Sequence, residues 1–306
     1  MALEGIHHIT AVTGDATANV DFYSGVMGLR LVKQTVNFDE PSAYHLYFAD
    51  EAASPGAALT FFEYPGAPPG LPGAGMVHTI VWRVGSVAAL EFWKTRLREA
   101  EMSVLHEGDV LTFCDPEGLA YELVVDDSDD APLSASSPEI PAEFALRGFG
   151  GVRAYAQQPQ ASAELLTALG FAPDGDESSW LLGGAERSGT LSYDEPPLDA
   201  ARPGAGTVHH VAWSAADDSE LDACIAQAHG AGAQPTGIID RQYFHSIYFR
   251  EPSGVLFEIA TRDIGFTIDE PLEQLGFTLQ LPEQYEQHRD SIELQLTPLN
   301  NPRTSA

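Results

Sequence analysis

Two pairs of adjacent histidines and one glutamate are the residues of this chain best suited to chemistry. His7 and His8 interrupt the apolar run Gly5-Ile6-His7-His8-Ile9-Thr10, and His209 and His210 interrupt Gly206-Thr207-Val208-His209-His210-Val211-Ala212-Trp213. Glu258 follows in Val255-Leu256-Phe257-Glu258-Ile259. All three runs read as strands, on which neighbouring side chains point to opposite faces. One histidine of each pair therefore looks into the space the sheet lines, while the other supports it from behind. Two imidazoles and one carboxylate held this way are the donor set of a non-haem Fe(II) facial triad. Alternation puts Ile6, His8 and Thr10 on one face and His7 and Ile9 on the other, and leaves open which face is the inner one.

The elements that must position these donors repeat along the chain. Gly75-Met76-Val77-His78-Thr79-Ile80-Val81-Trp82 aligns without a gap on the Gly206–Trp213 run. Asp115-Pro116-Glu117-Gly118-Leu119-Ala120-Tyr121-Glu122-Leu123 aligns on Glu251-Pro252-Ser253-Gly254-Val255-Leu256-Phe257-Glu258-Ile259, each with a glutamate four residues beyond the glycine. Between such landmarks the pattern is strand, helix, then two or three strands. The helices fall over 15–27 with Gly28 as stop, over 87–100 with Ser86 as N-cap, and over 161–169. Four units result, and only the first and fourth carry a full donor set. Thr79 stands in the place of His210, and Gly150 or Gly151 in the place of His8. Glu122 alone then reads as a vestigial polar residue, and one metal per chain is expected, shared by units one and four.

Composition narrows the function. At 306 residues with 44% hydrophobic content, the chain can build two ordinary domains. It divides into residues 1–130, a linker at 131–144 within an Asp-, Ser- and Pro-rich stretch, residues 145–262, and a helical tail at 263–306. The net charge is −30, and Lys33 and Lys94 are the only lysines. Without a basic patch, nucleic acid and anionic membrane surfaces are excluded as partners. The acidity reads as a solvated surface, with adaptation to high salt as the sharper alternative. Neither an apolar leader nor a run of ~20 apolar residues occurs, so a cytoplasmic protein is expected. Cys114 and Cys224 read as buried small hydrophobes. His45 and His245 could line the pocket but read first as polar-face strand residues, and Phe22, Tyr23, Phe92 and Trp93 read as helix-on-sheet packing. Phosphate loops, nucleophile elbows and nucleotide motifs are absent.

With these motifs the chain resembles the vicinal-oxygen-chelate superfamily, the glyoxalase, bleomycin-resistance and extradiol-dioxygenase group built from paired βαβββ modules. More narrowly, it is similar to the hydroquinone-type ring-cleaving dioxygenases. The stretches that carry the likeness are 5–10, 29–39 (LRLVKQTVNFD), 44–48 (YHLYF), 206–213, 241–258 and 281–289. The resemblance implies an α+β fold of four βαβββ modules in two pseudo-repeated domains, with curved mixed sheets around a metal site. It implies Fe(II), with Mn(II) as the alternative ion, held by His8, His210 and Glu258. His7, His209, Arg241 and Tyr248 match the surrounding polar residues, with His209 or Tyr248 as the acid/base. The implied activity is O2 insertion into a hydroquinone-like aromatic. A catechol-type extradiol dioxygenase, a glyoxalase-type lyase or isomerase, and an aromatic-antibiotic binding protein are the alternatives. The expected partners are a small aromatic molecule and O2, with homo-oligomer formation left open.

Overall fold

The computed structural model describes residues 3–304, in which the strand–helix–strands pattern occurs four times. The first module is β1 (Glu4–Thr13), α1 (Ala16–Val20), β2 (Arg30–Asn37), β3 (Glu40–Ala49) and β4 (Ala58–Glu63). The second is β5 (Val77–Val84), α2 (Val87–Glu99), β6 (Val104–Glu107), β7 (Val110–Cys114) and β8 (Ala120–Val125). The third is β9 (Phe149–Tyr155), α3 (Ala163–Ala168), β10 (Ala172–Pro173), β11 (Ser179–Gly183) and β12 (Ser188–Asp194). The fourth is β13 (Thr207–Ala215), α4 (Asp218–Gly230), β14 (Ile239–Asp240), β15 (His245–Arg250) and β16 (Leu256–Thr261).

Local chemistry explains the helix limits. Asp15 accepts a hydrogen bond from the Ala18 N–H at the start of α1, and Ser86 accepts one from Ala89 at the start of α2. Beyond Val20 the first helix widens into a π-helical stretch, Asp21–Val26, and ends before Gly28 at φ +71°. That left-handed conformation suits glycine, and a Cβ there would also meet Ile140 Cδ1 at 2.3 Å.

The strands form two mixed eight-stranded sheets, in the orders β14-β15-β16-β13-β1-β4-β3-β2 and β10-β11-β12-β9-β5-β8-β7-β6. Modules one and four share the first sheet, and modules two and three share the second. Each sequence half thus contributes one module to each sheet. In the first sheet β1 and β13 run antiparallel, with His8 opposite Ala212 and Thr10 opposite His210. A local pseudo-twofold therefore exchanges His8 with His210. Helices cover the outer faces, where Trp213 packs on Phe171 and Phe257, and the fully buried Trp93 of α2 donates to the Phe144 carbonyl. Phe22 and Tyr23 are buried in the same manner.

The edge strand β2 is closed by the C-terminal segment, whose regular parts are short turns including α5 (Glu283–Glu286) and α6 (Arg289–Glu293). Gln34 bridges Leu279, and its amide donates to the Gly276 carbonyl at 2.7 Å. Lys33, fully buried, donates to Asp269 at 2.5 Å and to Glu270, and lies 5.0 Å from the Tyr243 ring centroid.

One expectation is corrected. Cys114 is exposed, because alternation along β7 turns Phe113 inward and Cys114 outward, whereas Cys224 is buried as expected. The Asp-rich linker is largely exposed but anchored at its start. Asp130 accepts from Arg83 and Ser188, and the Arg187 guanidinium donates to the Ala131 and Arg147 carbonyls. No helix among the described residues is long and apolar enough to cross a membrane.

One buried carboxyl makes stability depend on pH. Asp115 accepts from the Glu117 and Leu119 N–H groups and from the Tyr23 hydroxyl, and burial pushes it up to about 6. Between pH ~4 and ~6 the folded state binds the extra proton, so stability declines as pH rises through that window. Asp115→Asn should lack this slope. In urea unfolding at pH 4 to 7, the variant should gain about 1–3 kcal/mol relative to wild type as pH rises.

Candidate metal centre

The first sheet brings His8, His210 and Glu258 to one point. His8 Nε2 lies 3.3 Å from His210 Nε2, and Glu258 Oε2 lies 3.2 Å from the first and 2.8 Å from the second. All three residues are buried, and among the described residues they are the only such group of potential metal ligands. Adjacent donors ~2.1 Å from an ion sit about 3.0 Å apart on an octahedral face and about 3.4 Å apart on a tetrahedron. The observed triangle fits a small divalent cation without rearrangement. Glu258 Oε2 is also left without a hydrogen-bond donor in good geometry, so its free lone pairs face the two imidazoles.

Second partners fix how each ligand points. The Thr261 carbonyl can only accept, so the His7 Nε2–H donates to it at 3.0 Å. His7 Nδ1 must then accept from the His8 Nδ1–H at 2.9 Å, which leaves the His8 Nε2 lone pair aimed at the cation position. Burial and the neighbouring His8 push His7 down to about 3, so it stays neutral in this role. Across the pseudo-twofold, His209 Nδ1 lies 2.7 Å from His210 Nδ1. His209 itself is exposed, unlike His7.

Glu258 is oriented through its other oxygen. Oε1 accepts from the Ser246 hydroxyl at 2.5 Å and from the Tyr248 hydroxyl at 2.9 Å. Burial alone would raise this carboxyl, but His8 and His210 hold it well below the usual carboxylate range. Arg241 Nε donates to the Tyr248 oxygen at 3.2 Å, and Arg241 Nη1 lies 3.2 Å from Asp39. The Arg241 loop turns tightly at Gln242, φ +67°, where the Tyr243 N–H reaches the Arg241 carbonyl at 2.8 Å. Asp269 holds this loop by accepting from Gln242 and Tyr243. Removal of one orienting hydroxyl, Ser246→Ala, should lower affinity for a divalent metal about 10- to 100-fold in chelator competition, with the fold intact.

The triad opens on a cavity of about 140 Å³, close to the ~150 Å³ of an engineered cavity that accepts a single benzene. Phe38, Phe62 and Phe244 supply apolar walls, and His45, Tyr47, Asn37, Asp39, Tyr64, Arg241 and Tyr248 supply polar ones. Every sequence-selected site residue except His7 lines this space, and His7 lies directly behind His8.

Sequence reasoning missed Ser246 and Tyr47, and ranked the lining role of His45 second to a polar strand face. His45, expected first on a polar strand face, lines the cavity, whereas His245 is partly exposed and paired with Asp218. The i, i+2 spacing that puts His45 and Tyr47 on one strand face was the available signal for both. Ser246 had none.

The second sheet shows why its equivalent position is not a second centre. Gly151 faces Val81, whose neighbour is Glu122, just as His8 faces Ala212 beside Glu258. A Cβ at Gly151 would meet Thr190 Oγ1 at 2.0 Å, so no histidine fits there. Glu122 instead faces the Arg153 guanidinium at 3.7 Å, itself bound to Asp194.

Residues 5–123 and 148–259 match the family described as Glyoxalase/Bleomycin resistance protein/Dioxygenase superfamily. Over 96% of both chains, the sequence is 41% identical to the Bacillus subtilis protein named "Putative ring-cleaving dioxygenase MhqO". It is 33% identical to the chlorohydroquinone/hydroquinone 1,2-dioxygenase of Sphingobium indicum, covering 98% of this chain and 97% of that protein. A crystal structure titled as a "putative dioxygenase" of Bacillus subtilis superposes with a TM-score of 0.90 at 40% identity, covering 98% of each chain.

Proposed function

The chain belongs to the Glyoxalase/Bleomycin resistance protein/Dioxygenase superfamily, and on that premise we propose that it is a non-haem Fe(II) ring-cleaving dioxygenase acting on a hydroquinone-like aromatic. The observation that carries this reading is the convergence of His8 Nε2, His210 Nε2 and Glu258 Oε2 at the floor of a cavity sized for one ring. The relatives named as ring-cleaving dioxygenases, one of them a hydroquinone dioxygenase, support the reaction class. Two imidazoles and one carboxylate on one face suit iron, and Mn(II) would fit the same donors. When bound, the ion would hold a ring oxygen and O2 side by side and let electrons pass from ring to O2. The overall reaction places both O2 atoms in a ring-opened semialdehyde acid.

The chain's own residues prepare that encounter. His7 fixes the tautomer of His8, and Ser246 and Tyr248 fix the rotation of Glu258. The Arg241 guanidinium places permanent positive charge in the cavity, which favours the substrate as its phenolate. Phe38, Phe62 and Phe244 hold the ring and exclude water. His209, exposed beside His210, is placed to exchange protons between cavity and solvent.

The test is oxygen uptake by the Fe(II)-loaded protein offered hydroquinone, catechol and a glutathione hemithioacetal. Uptake with hydroquinone is expected. Uptake with catechol alone would move the enzyme to the ortho-diol class, and conversion of the hemithioacetal without uptake would make it a glyoxalase.

A further inference from the structure

The pseudo-twofold between β1 and β13 carries more than the histidine pair. Because Thr10 faces His210 and Ala212 faces His8, the neighbours of Thr10 and Ala212 are also exchanged. Glu258 lies beside Ala212 on β16, and Thr60 lies beside Thr10 on β4. Thr60 is therefore the mate of Glu258, the position where a more symmetric site would carry a fourth donor. The next strands repeat the relation. Tyr248 pairs with Glu258 as Tyr47 pairs with Thr60, and Ser246 stands to Glu258 as His45 stands to Thr60.

The two halves have diverged in what these residues hold. On one side Ser246 and Tyr248 both spend their hydroxyl protons on the Glu258 carboxylate. On the other, His45 Nε2 lies 2.9 Å from Thr60 Oγ1, itself 2.7 Å from Thr10 Oγ1, and His45 Nδ1 lies 2.9 Å from the Tyr47 hydroxyl. No ligand terminates this chain. Its end is Tyr47, which lines the cavity together with His45, whose ring lies tilted against Tyr47 at 4.1 Å and against Phe62 at 4.3 Å. A hydroxyl that donates to His45 keeps oxygen lone pairs free, and the chain Tyr47–His45–Thr60–Thr10 can reverse its polarity to let Tyr47 donate instead. Tyr248 has no such freedom, and Arg241 is shared between Tyr248 and Asp39.

We propose that Tyr47, positioned by His45, is the hydrogen-bonding subsite for the ring hydroxyl that the metal does not hold. A para-dihydroxy ring bound through one oxygen carries its second hydroxyl away from the metal, and Tyr47 and His45 on β3 line the cavity with hydrogen-bonding capacity that no metal ligand draws on. An ortho-diol, with both oxygens at the metal, offers Tyr47 no partner beyond His45. The assignment rests on the hydroquinone reading above and names the residue that selects for it.

Anaerobic binding of hydroquinone and of phenol, which lacks the second hydroxyl, to the iron-loaded protein tests the assignment. Wild type should prefer hydroquinone about tenfold, the scale of one hydrogen bond in a closed site. Tyr47→Phe should bring the two affinities together while leaving phenol binding and iron content unchanged, a pattern that general loosening of the pocket would not produce. His45→Gln should shrink the preference in the same direction, and carries the test if Tyr47→Phe does not fold. A preference that persists in the variants overturns the assignment alone. Absence of oxygen uptake with hydroquinone in wild type would bring down the hydroquinone reading, and this assignment with it.

Discussion

His210→Ala protein should purify with less than about a tenth of the wild-type iron, and its oxygen uptake should equal the buffer blank. Loss of a mere orienting partner already lowers metal affinity 10- to 100-fold, so loss of a ligand that supplies one of three donor atoms must do more. The same holds for His8→Ala and Glu258→Ala. Glu258→Ala should be the least stable of the metal-free variants, because it leaves the Ser246 and Tyr248 hydroxyls without their common acceptor. Thr79→Ala and Glu122→Ala act in the second sheet, where Arg153 already neutralises the carboxylates, and should leave iron content at the wild-type value. Iron determination on the reduced proteins reads all five. Retained iron and turnover in His210→Ala, or near-complete iron loss in Glu122→Ala, would remove the single-centre assignment.

Lys33→Met should be the most damaging single change away from the metal. The methionine conserves volume but strands Asp269 and Glu270 beside an apolar group, and an uncompensated buried charge typically destabilises by about 3–5 kcal/mol. The damage should reach the site, because Asp269 also holds Gln242 and Tyr243 on the loop that aims Arg241. Urea unfolding should show the loss, and the triple variant Lys33→Met, Asp269→Asn, Glu270→Gln should recover most of it. A single variant as stable as wild type would mean that the C-terminal segment does not depend on this clamp.

The triad was legible because its signal is local and repeated. Each histidine pair sits in a short apolar run, and the Asp/Glu-Pro-x-Gly turn marks the glutamate four residues on. The four-module scaffold was legible for the same reason. The inner face of β1 was not, since every residue from Glu4 to Thr13 is buried and no polar side betrays the orientation. Ser246 and Thr60 were invisible because their roles exist only once β3 meets β4 and β15 meets β16 in register. The Lys33 clamp joins residues 236 and 237 positions apart, beyond any spacing rule.

The pairing of the first module with the fourth has a consequence for how the molecule is made. His7 and the Thr261 carbonyl that orients it are 254 residues apart, so the centre cannot form until nearly the whole chain has left the ribosome. At about 5–20 residues per second, β1 spends on the order of ten seconds or more without its partner strand. During that interval the nascent chain offers one histidine pair and no facing carboxylate, a weak chelator. Ion selection therefore falls to the finished fold, which protects against capture of a wrong cation during synthesis. A chain ending at residue 200 should accordingly show no tight divalent-metal binding in equilibrium dialysis.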